Sequence, residues 1–321
     1  MKPPSNISRT FALSALALLL ASCSSLKREH AKPGLGPAEW TTFDGKQMPW
    51  KEWKVPSGIE TKTVVIAIHG LSGAASDFWL LGERLPPQGI AVYGYELRGQ
   101  GNDPDIVRRG DIDSASLWLR DLLTFHRLVR ARHPKTPIVW YGESLGSLIA
   151  LHTAAKDYRH TPDALILASP VAGLRQKLSD IERWLLLGAS HALPTMRLKL
   201  GDLAGVDESK MRVTSTSTHG DQMQKTPHHV GSFTLRTLRE IDGLLQENAR
   251  AAHRIDVPVL IVASPHDIVS TPDQVQQLFE ELGTEDKLMH WYSRSYHLLL
   301  HDVQREKVLD DVTRWIRKRT L

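Results

Sequence analysis

Pro137-Ile-Val-Trp-Tyr-Gly-Glu-Ser-Leu-Gly-Ser-Leu-Ile-Ala-Leu-His-Thr-Ala-Ala155 is the stretch from which the fold can be read. Residues 138–141 form a short, apolar, partly β-branched run after a proline, the pattern of a buried strand. Residues 147–155 follow with the pattern of a helix. Between them Gly142-Glu143-Ser144-Leu145-Gly146 has the form G-x-S-x-G. Five residues of this form arise readily by chance; their weight comes from the strand, sharp turn and helix around them. The two glycines suit a turn too crowded for a Cβ. Ser144 is expected at its tip in strained backbone, its hydroxyl at the positive end of the following helix.

Outward from this point, short β-branched runs alternate with amphipathic segments. The runs are 63–68, 90–95, 138–141, 164–168, 259–263 and 287–292; the helical patterns are 76–85, 114–133, 145–157, 271–282 and 302–319. In 114–133, Leu117, Trp118, Leu122, Phe125, Leu128 and Val129 recur at three-to-four spacing, one face of a helix. Such alternation predicts an α/β fold, a mostly parallel central sheet flanked by helices. A hairpin is expected ahead of it, strands at 40–43 and 48–55 around Asp44-Gly45. The alternation stops between 171 and 252, where helical patches at 181–187 and 235–251 flank a polar loop at 214–220 without a convincing strand. That interval reads as a helical cap inserted into a core of residues 39–170 and 253–321. Caps so placed lie over the carboxyl ends of the strands, where ligands bind in open α/β sheets.

A serine hydroxyl becomes a nucleophile when a base takes its proton, and the base needs an acid to orient it. On this scaffold the order along the chain is Ser, acid, His, each after a strand. Asp267 follows the run 259–263 and precedes a helix; His297 follows the run 287–292. His266 and His301 are the nearest rivals, but His266 shares the acid's loop and His301 falls at the head of the expected last helix. Asp302 and Asp286 read as ordinary solvated acids. The run 63–68 leads into His69-Gly70-Leu71-Ser72-Gly73. An oxyanion hole takes one backbone N–H after the nucleophile and another from this early loop, which selects Leu145 and Leu71 by position. Taken alone, His69-Gly70 reads equally as a strand-end turn.

Together, His69-Gly70, Gly94-Tyr95-Glu96-Leu97-Arg98-Gly99-Gln100-Gly101, the Gly142 to Gly146 motif, the Asp267 loop and Ser295-Tyr296-His297 resemble the monoacylglycerol lipase and lysophospholipase branch of the α/β-hydrolases, often labelled serine aminopeptidase-like. The resemblance runs from about residue 40 to 319 and is loosest across the cap. It implies an α/β-hydrolase fold, Ser144 as nucleophile, His297 as base, Asp267 as orienting acid, and ester hydrolysis through an acyl-enzyme. Two departures stand out. The family pattern Asp-x-Arg-Gly-His-Gly is met here by Glu96, Gln100 and Gly101. The Glu-His pair that commonly follows the oxyanion loop is replaced by Gly73-Ala74, so the resemblance does not extend to recognition of a glycerol head group.

The chain ahead of this core reads as an address. Lys2 and Arg9 precede an apolar run at 11–21 broken only by Ser14, and no acid occurs before Glu29. This is the pattern of an export signal, short for a membrane span. The sole cysteine closes it in Leu20-Ala21-Ser22-Cys23, which resembles the lipobox of bacterial lipoproteins: cleavage after residue 22 and acylation of Cys23. An ordinary secretory signal with an incidental cysteine is the plainer alternative. Residues 23–38, with Pro33, Gly34, Gly36 and Pro37, read as a flexible tether. Ser24, rather than Asp, after the cysteine favours an outer-membrane address in a Gram-negative cell, and otherwise the outer face of the plasma membrane.

Composition agrees with an enzyme and excludes other classes. Over 321 residues, 41% hydrophobic and 24% charged side chains are near the globular average. Forty Lys and Arg against 36 Asp and Glu leave +4, too weak a field to argue for nucleic acid. One Cys excludes an internal disulfide and any multi-cysteine metal site. No cofactor or metal is implied; the partners expected are a small-molecule or lipid ester and, through Cys23, a membrane. His219, His228 and His229 read as a polar cap loop rather than metal ligands, since no carboxylate spacing supports them. Arg314, Arg317, Lys318 and Arg319 read as the solvated end of the last helix rather than a lipid-binding patch. Trp184-Leu-Leu-Leu187 reads as cap core, with an acyl tunnel or a membrane-facing surface as alternatives. Two other functions remain on the same scaffold: an aminopeptidase, for which Glu182, Asp207 and Glu240 are candidate ammonium-binding acids, and a non-catalytic binding lipoprotein.

Overall fold

The strand at the centre of the molecule is the one predicted around the serine motif, and it is buried on both faces. The computed structural model describes residues 31–156, 162–176, 179–199, 201 and 207–320. The leader at 1–22, Cys23 and the tether as far as residue 30 lie outside the described residues. Among the described residues no helix is long and apolar enough to cross a membrane.

In chain order the strands are β1 (Gly34–Leu35), β2 (Glu39–Thr41), β3 (Gln47–Trp53), β4 (Thr63–Ile68), β5 (Ile90–Tyr95), β6 (Ile138–Glu143), β7 (Ala164–Ala168), β8 (Arg197–Leu198), β9 (Phe233–Thr234), β10 (Val259–Ala263) and β11 (Lys287–Trp291). Nine form one sheet in the order β1-β2-β3-β5-β4-β6-β7-β10-β11. The β1, β2 and β3 strands run antiparallel, and from β5 to β11 every pairing is parallel. This is the mostly parallel α/β sheet expected from the alternation of patterns.

Successive side chains on a strand point to opposite faces, and here both faces are covered. Val64, Ile66, Ile68, Ile138 and Trp140 pack on one side with Trp118, Phe125 and Val129 of the helix Ala115–Arg132 and Leu148 and Leu151 of Leu145–Ala154. Val65, Ala67, Val139 and Tyr141 pack on the other with Leu81, Val308, Val312 and Ile316. The β11 strand lies at the edge and is half-exposed, which is why its sequence is less apolar. Helix ends follow local chemistry: the Ser114, Thr234 and Thr271 hydroxyls each accept a backbone N–H of the first turn.

Several expectations are corrected. Residues 34–35, read as tether, pair with Thr41 and Trp40 as a strand, and the Trp50 indole N–H donates to Gly36 O at 3.0 Å. The segment 76–85 is a 3-10 turn, Ala75–Phe78, followed by the helix Trp79–Arg84. The last helix begins at Arg305, so His301 sits in a separate 3-10 turn, Leu299–His301. In the cap, β8 and β9 pair antiparallel, two residues each, too short for alternation to reveal them. The loop 214–220 ends early because Thr218 and Asp221 form a capping box that starts the helix His219–Lys225. The pattern 235–251 breaks at Glu247 into Leu235–Gln246 and Asn248–Ala252.

The strand registers bring the carboxyl ends of the central sheet level. Ile68 lies opposite Gly142, and Glu143 opposite Ala168. The loops after β4, β6, β10 and β11 therefore open toward one edge, beneath the cap.

Candidate active site

Gly142 and Gly146 are required sterically. A Cβ on Gly142 would lie 2.5 Å from Gly146 O, and one on Gly146 would lie 2.0 Å from Ile68 O. The turn they permit holds Ser144 at φ 53°, ψ −120°, between the last residue of β6 and the first of the helix Leu145–Ala154. A left-handed φ on serine stores about 1–3 kcal/mol. The surroundings hold it: Ser144 N donates to Ala168 O at 3.0 Å, and Ser144 O accepts from Ser147 Oγ at 2.6 Å. The hydroxyl stands over the helix N-terminus, as anticipated.

The three side chains separated in sequence meet there. His297 Nε2 lies 2.9 Å from Ser144 Oγ, and His297 Nδ1 lies 2.9 and 2.8 Å from the two Asp267 oxygens. A carboxylate partner puts the proton on Nδ1 and leaves Nε2 as acceptor for the serine O–H. All three residues are buried. Burial pushes the His297 imidazole down, but the Asp267 carboxylate, its hydrogen bond and the charge of Glu143 together hold it above its ordinary 6.5. Asp267 Oδ1 also accepts from Val269 N at 2.7 Å, and Ser169 Oγ donates to His297 O at 2.5 Å, so the acid is fixed from its own loop and the base from the loop after β7. Among the described residues, neither rival histidine hydrogen-bonds Ser144 or Asp267; His266 packs on the Tyr296 ring at 5.6 Å, and His301 lines the cavity.

Gly70 brings the loop after β4 against the serine: a Cβ there would lie 3.0 Å from Ser144 Cβ. Leu71 and Leu145 both border the same space, and among the described residues neither amide donates to a backbone acceptor. Asp302 is not a solvated acid. It is buried and accepts from Tyr296 N at 2.8 Å and from Ser215 N and Oγ, tying the His297 loop to the cap. Asp286 is half-exposed and pairs with Arg319.

These groups form the floor of a cavity of about 380 Å³. Its walls are mostly apolar, with Val171 and Leu174 at the cap entrance, Leu186 and Leu187, Val213, Leu235, Leu238, Ile241 and Leu245 from the cap, and Ile268, Val269 and Leu298 from the core, interrupted in the cap by Arg183, Arg239 and Asp242. The cap-core reading of 184–187 is overturned. The helix Asp180–Ala192 sends Leu186 and Leu187 into the cavity, while Ile181, Trp184 and Leu185 are 73%, 79% and 69% exposed.

The candidate ammonium-binding acids are spent elsewhere. Glu182 caps its own helix through Ser179, Asp207 accepts from Ser209 N, and Glu240 accepts from Ala115 N; none lines the cavity. Three acids not singled out do line it, Glu143, Asp77 and Asp242, the last paired with Arg183 at 2.9 Å. Burial pushes the Glu143 carboxyl up, Asp77 adds to this, and His301 and His297 oppose it. Burial also pushes Asp77 up, but His228, the Ala74 amide and His69 outweigh it and hold Asp77 below its ordinary value. Glu143 occupies the first variable position of G-x-S-x-G, which was the available signal; nothing local marked Asp77. His228 Nε2 is 3.3 Å from Asp77 Oδ1, and the His219 and His229 rings meet edge to face at 5.7 Å. Among the described residues no group of three His, Cys, Asp or Glu side chains is arranged to hold a metal ion.

The departures in the 94–101 loop also find uses. The longer Glu96 reaches Ala75 N at 3.2 Å and Asn102 N at 3.1 Å, and Gln100 Oε1 accepts from Ser72 N at 2.8 Å.

Sheet order, turn and site define an α/β-hydrolase of the serine hydrolase class. The chain belongs to the Hydrolase_4 family, described as serine aminopeptidase, S33, whose model matches residues 59–304. It is 24% identical over 299 residues to a monoacylglycerol lipase of Mycolicibacterium smegmatis, spanning 91% of this chain and 98% of that protein. It is 21% identical over 255 residues to a carboxylesterase of Bacillus subtilis, spanning 79% and 92%. Its fold matches a soluble variant of monoglyceride lipase from Saccharomyces cerevisiae in complex with a substrate analog, with a TM-score of 0.75 at 19% identity, covering 92% and 98% of the two chains.

Proposed function

We propose that this protein hydrolyses carboxylic esters of lipid origin, a monoacylglycerol, a lysophospholipid or a similar acyl ester, with Ser144 as nucleophile. The observation that carries the reading is Ser144 Oγ at 2.9 Å from His297 Nε2 on the floor of a cavity walled by leucine, isoleucine and valine. The apolar walls take the acyl chain, and its burial supplies the binding free energy. Ser144 Oγ attacks the ester carbonyl while His297 Nε2 takes its proton. Asp267 keeps the Nδ1 proton in place and stabilises the imidazolium. The Leu71 and Leu145 amides hold the oxyanion. His297 then protonates the departing alcohol, and a water activated by the same imidazole releases the acid. Sequence supports attachment of the protein to the cell envelope through acylated Cys23, at the outer membrane of a Gram-negative cell or otherwise the outer face of the plasma membrane. Two acyl chains there give stable anchoring where one is marginal.

A second reading is favoured by one observation. Glu143 and Asp77 bring carboxyl groups to the same cavity, where an aminopeptidase must hold its substrate's ammonium. Parallel assays on acyl esters of graded chain length, lysophospholipids and aminoacyl anilides separate the two. Ester turnover that grows with acyl length, without anilide turnover, supports the lipid-ester reading; the reverse preference overturns it, and turnover of neither class supports a non-catalytic binding protein.

A further inference from the structure

Ser72, next to the proposed oxyanion donor Leu71, is one of three non-glycine residues with positive φ among those described, at 61°. The other two, Ser144 and Ser169, belong to the site already described. A serine stays in this conformation only where its neighbours over-determine it, and the neighbours of Ser72 come from two separate regions. From the core, Gln100 Oε1 accepts the Ser72 amide at 2.8 Å. From the cap, Val230 N donates to Ser72 Oγ at 2.7 Å, and His229 Nδ1 lies 2.8 Å from the same oxygen. With one lone pair occupied by Val230 N–H, the hydroxyl shares its shorter remaining hydrogen bond with His229 Nδ1, Val230 O lying farther off at 3.4 Å. The adjoining His228 meets Asp77 at 3.3 Å, and Asp77 Oδ2 in turn accepts from Ala74 N at 2.8 Å. Residues 229–230 thus hold the 70–77 loop by hydrogen bonds at Ser72, and His228 stands against its other end at Asp77, although that loop is 157 positions away in the chain at the Ser72–His229 contact.

We propose that the cap segment 228–230 is a positioning element for the oxyanion hole, setting the Leu71 amide against Ser144 through Ser72 and Asp77. A donor displaced by an ångström loses most of its hold on a developing oxyanion. His228 and His229 also border the cavity. Seating of the cap over an acyl chain and completion of the hole therefore share one loop.

This inference rests on the ester-hydrolase reading, and the test keeps the two apart. The variants are Ser72→Gly, which suits the positive φ but lacks the hydroxyl, His229→Leu, and His229→Asn, which returns an acceptor near the position of Nδ1. Each is assayed on the p-nitrophenyl ester best used by the unaltered protein, and against a trifluoromethyl ketone of the same acyl chain. In the ketone adduct Ser144 Oγ bonds to the carbonyl carbon, its proton passes to His297 Nε2, and the C=O electron pair becomes an alkoxide in the hole. Ser72→Gly and His229→Leu are expected to lower kcat by about 10- to 100-fold and weaken the ketone by the same factor, with KM within about threefold. His229→Asn regains most of the loss. Thermal melting identifies a variant that has lost its fold, and Ser72→Gly is the one whose backbone best tolerates the change. Unchanged ketone affinity in a folded variant, or a rise in KM alone, overturns the clamp. Failure of the unaltered protein to form the ketone adduct overturns instead the reading of Ser144 as nucleophile.

Discussion

The floor of the cavity and its roof are held by different forces. The floor is built from strand ends: Ser144 and Asp267 sit on loops after fully buried strands, His297 on the loop after the half-exposed β11, and even a left-handed serine is tolerated because Ala168 O and Ser147 pin it. The roof is built from helices whose apolar residues face both ways. Leu186 and Leu187 point to the cavity while Trp184 and Leu185, beside them in sequence, point to solvent. Where the floor joins the roof, the ties are polar and specific: Asp302 to Ser215, Ser72 to residues 229–230, and Arg236 with Thr234 to the buried Asp111. Under the proposed function, chemistry that needs fixed distances falls to the sheet, and recognition of a variable apolar chain to the cap.

The sharpest break in this comparison is expected at the floor. Asp267→Asn leaves the packing almost unchanged but favours the wrong imidazole tautomer, so kcat on an ester substrate should fall by about 10⁴-fold, with little change in the melting temperature. A fall of less than tenfold would mean that Asp267 is not the orienting acid. Next is a contrast in stability read by denaturant unfolding. Ile66→Ala, in the central β4 strand, should cost about 2–5 kcal/mol, whereas Trp184→Ser, on the exposed face of the cap helix, should lie within about 0.5 kcal/mol of the unaltered protein. Equal costs would show that the outer cap face is covered.

The smallest effect is in the pH profile. His297 must be neutral to act as base, and its pKa is raised, so kcat/KM should fall with acid through a value above 6.5. The Glu143 charge contributes to that elevation, so Glu143→Gln should move the acid limb to lower pH. A shift to higher pH would mean that Glu143 acts on the site other than through its charge. The imidazolium is favoured by folding, so its contribution to stability is complete below 6.5 and lost as pH rises through the elevated value.

The same contrast explains what could be read from sequence. The parallel sheet, its flanking helices and the three side chains after β6, β10 and β11 were legible because buried strands and their loops leave strong local patterns. The cap was legible only as an interval without strands. Its helix Asp180–Ala192 carries apolar residues on two faces, and a one-dimensional pattern cannot tell which of them meets the cavity. Its β8 and β9 strands are two residues long. Asp302 looked ordinary because its partners, Ser215 and Tyr296, are brought to it only by folding. Ser72, Gln100 and His229 stood out in the sequence only separately, as part of the early loop, a departure from the family pattern and a polar cap loop; their joint meaning lies in contacts across the fold.

The most direct test of the account is the site of covalent labelling by a fluorophosphonate, located by peptide mass spectrometry on the folded protein. One adduct is expected, on Ser144, absent in Ser144→Ala and strongly slowed in His297→Ala. Label on another residue, or label retained by Ser144→Ala, would contradict it.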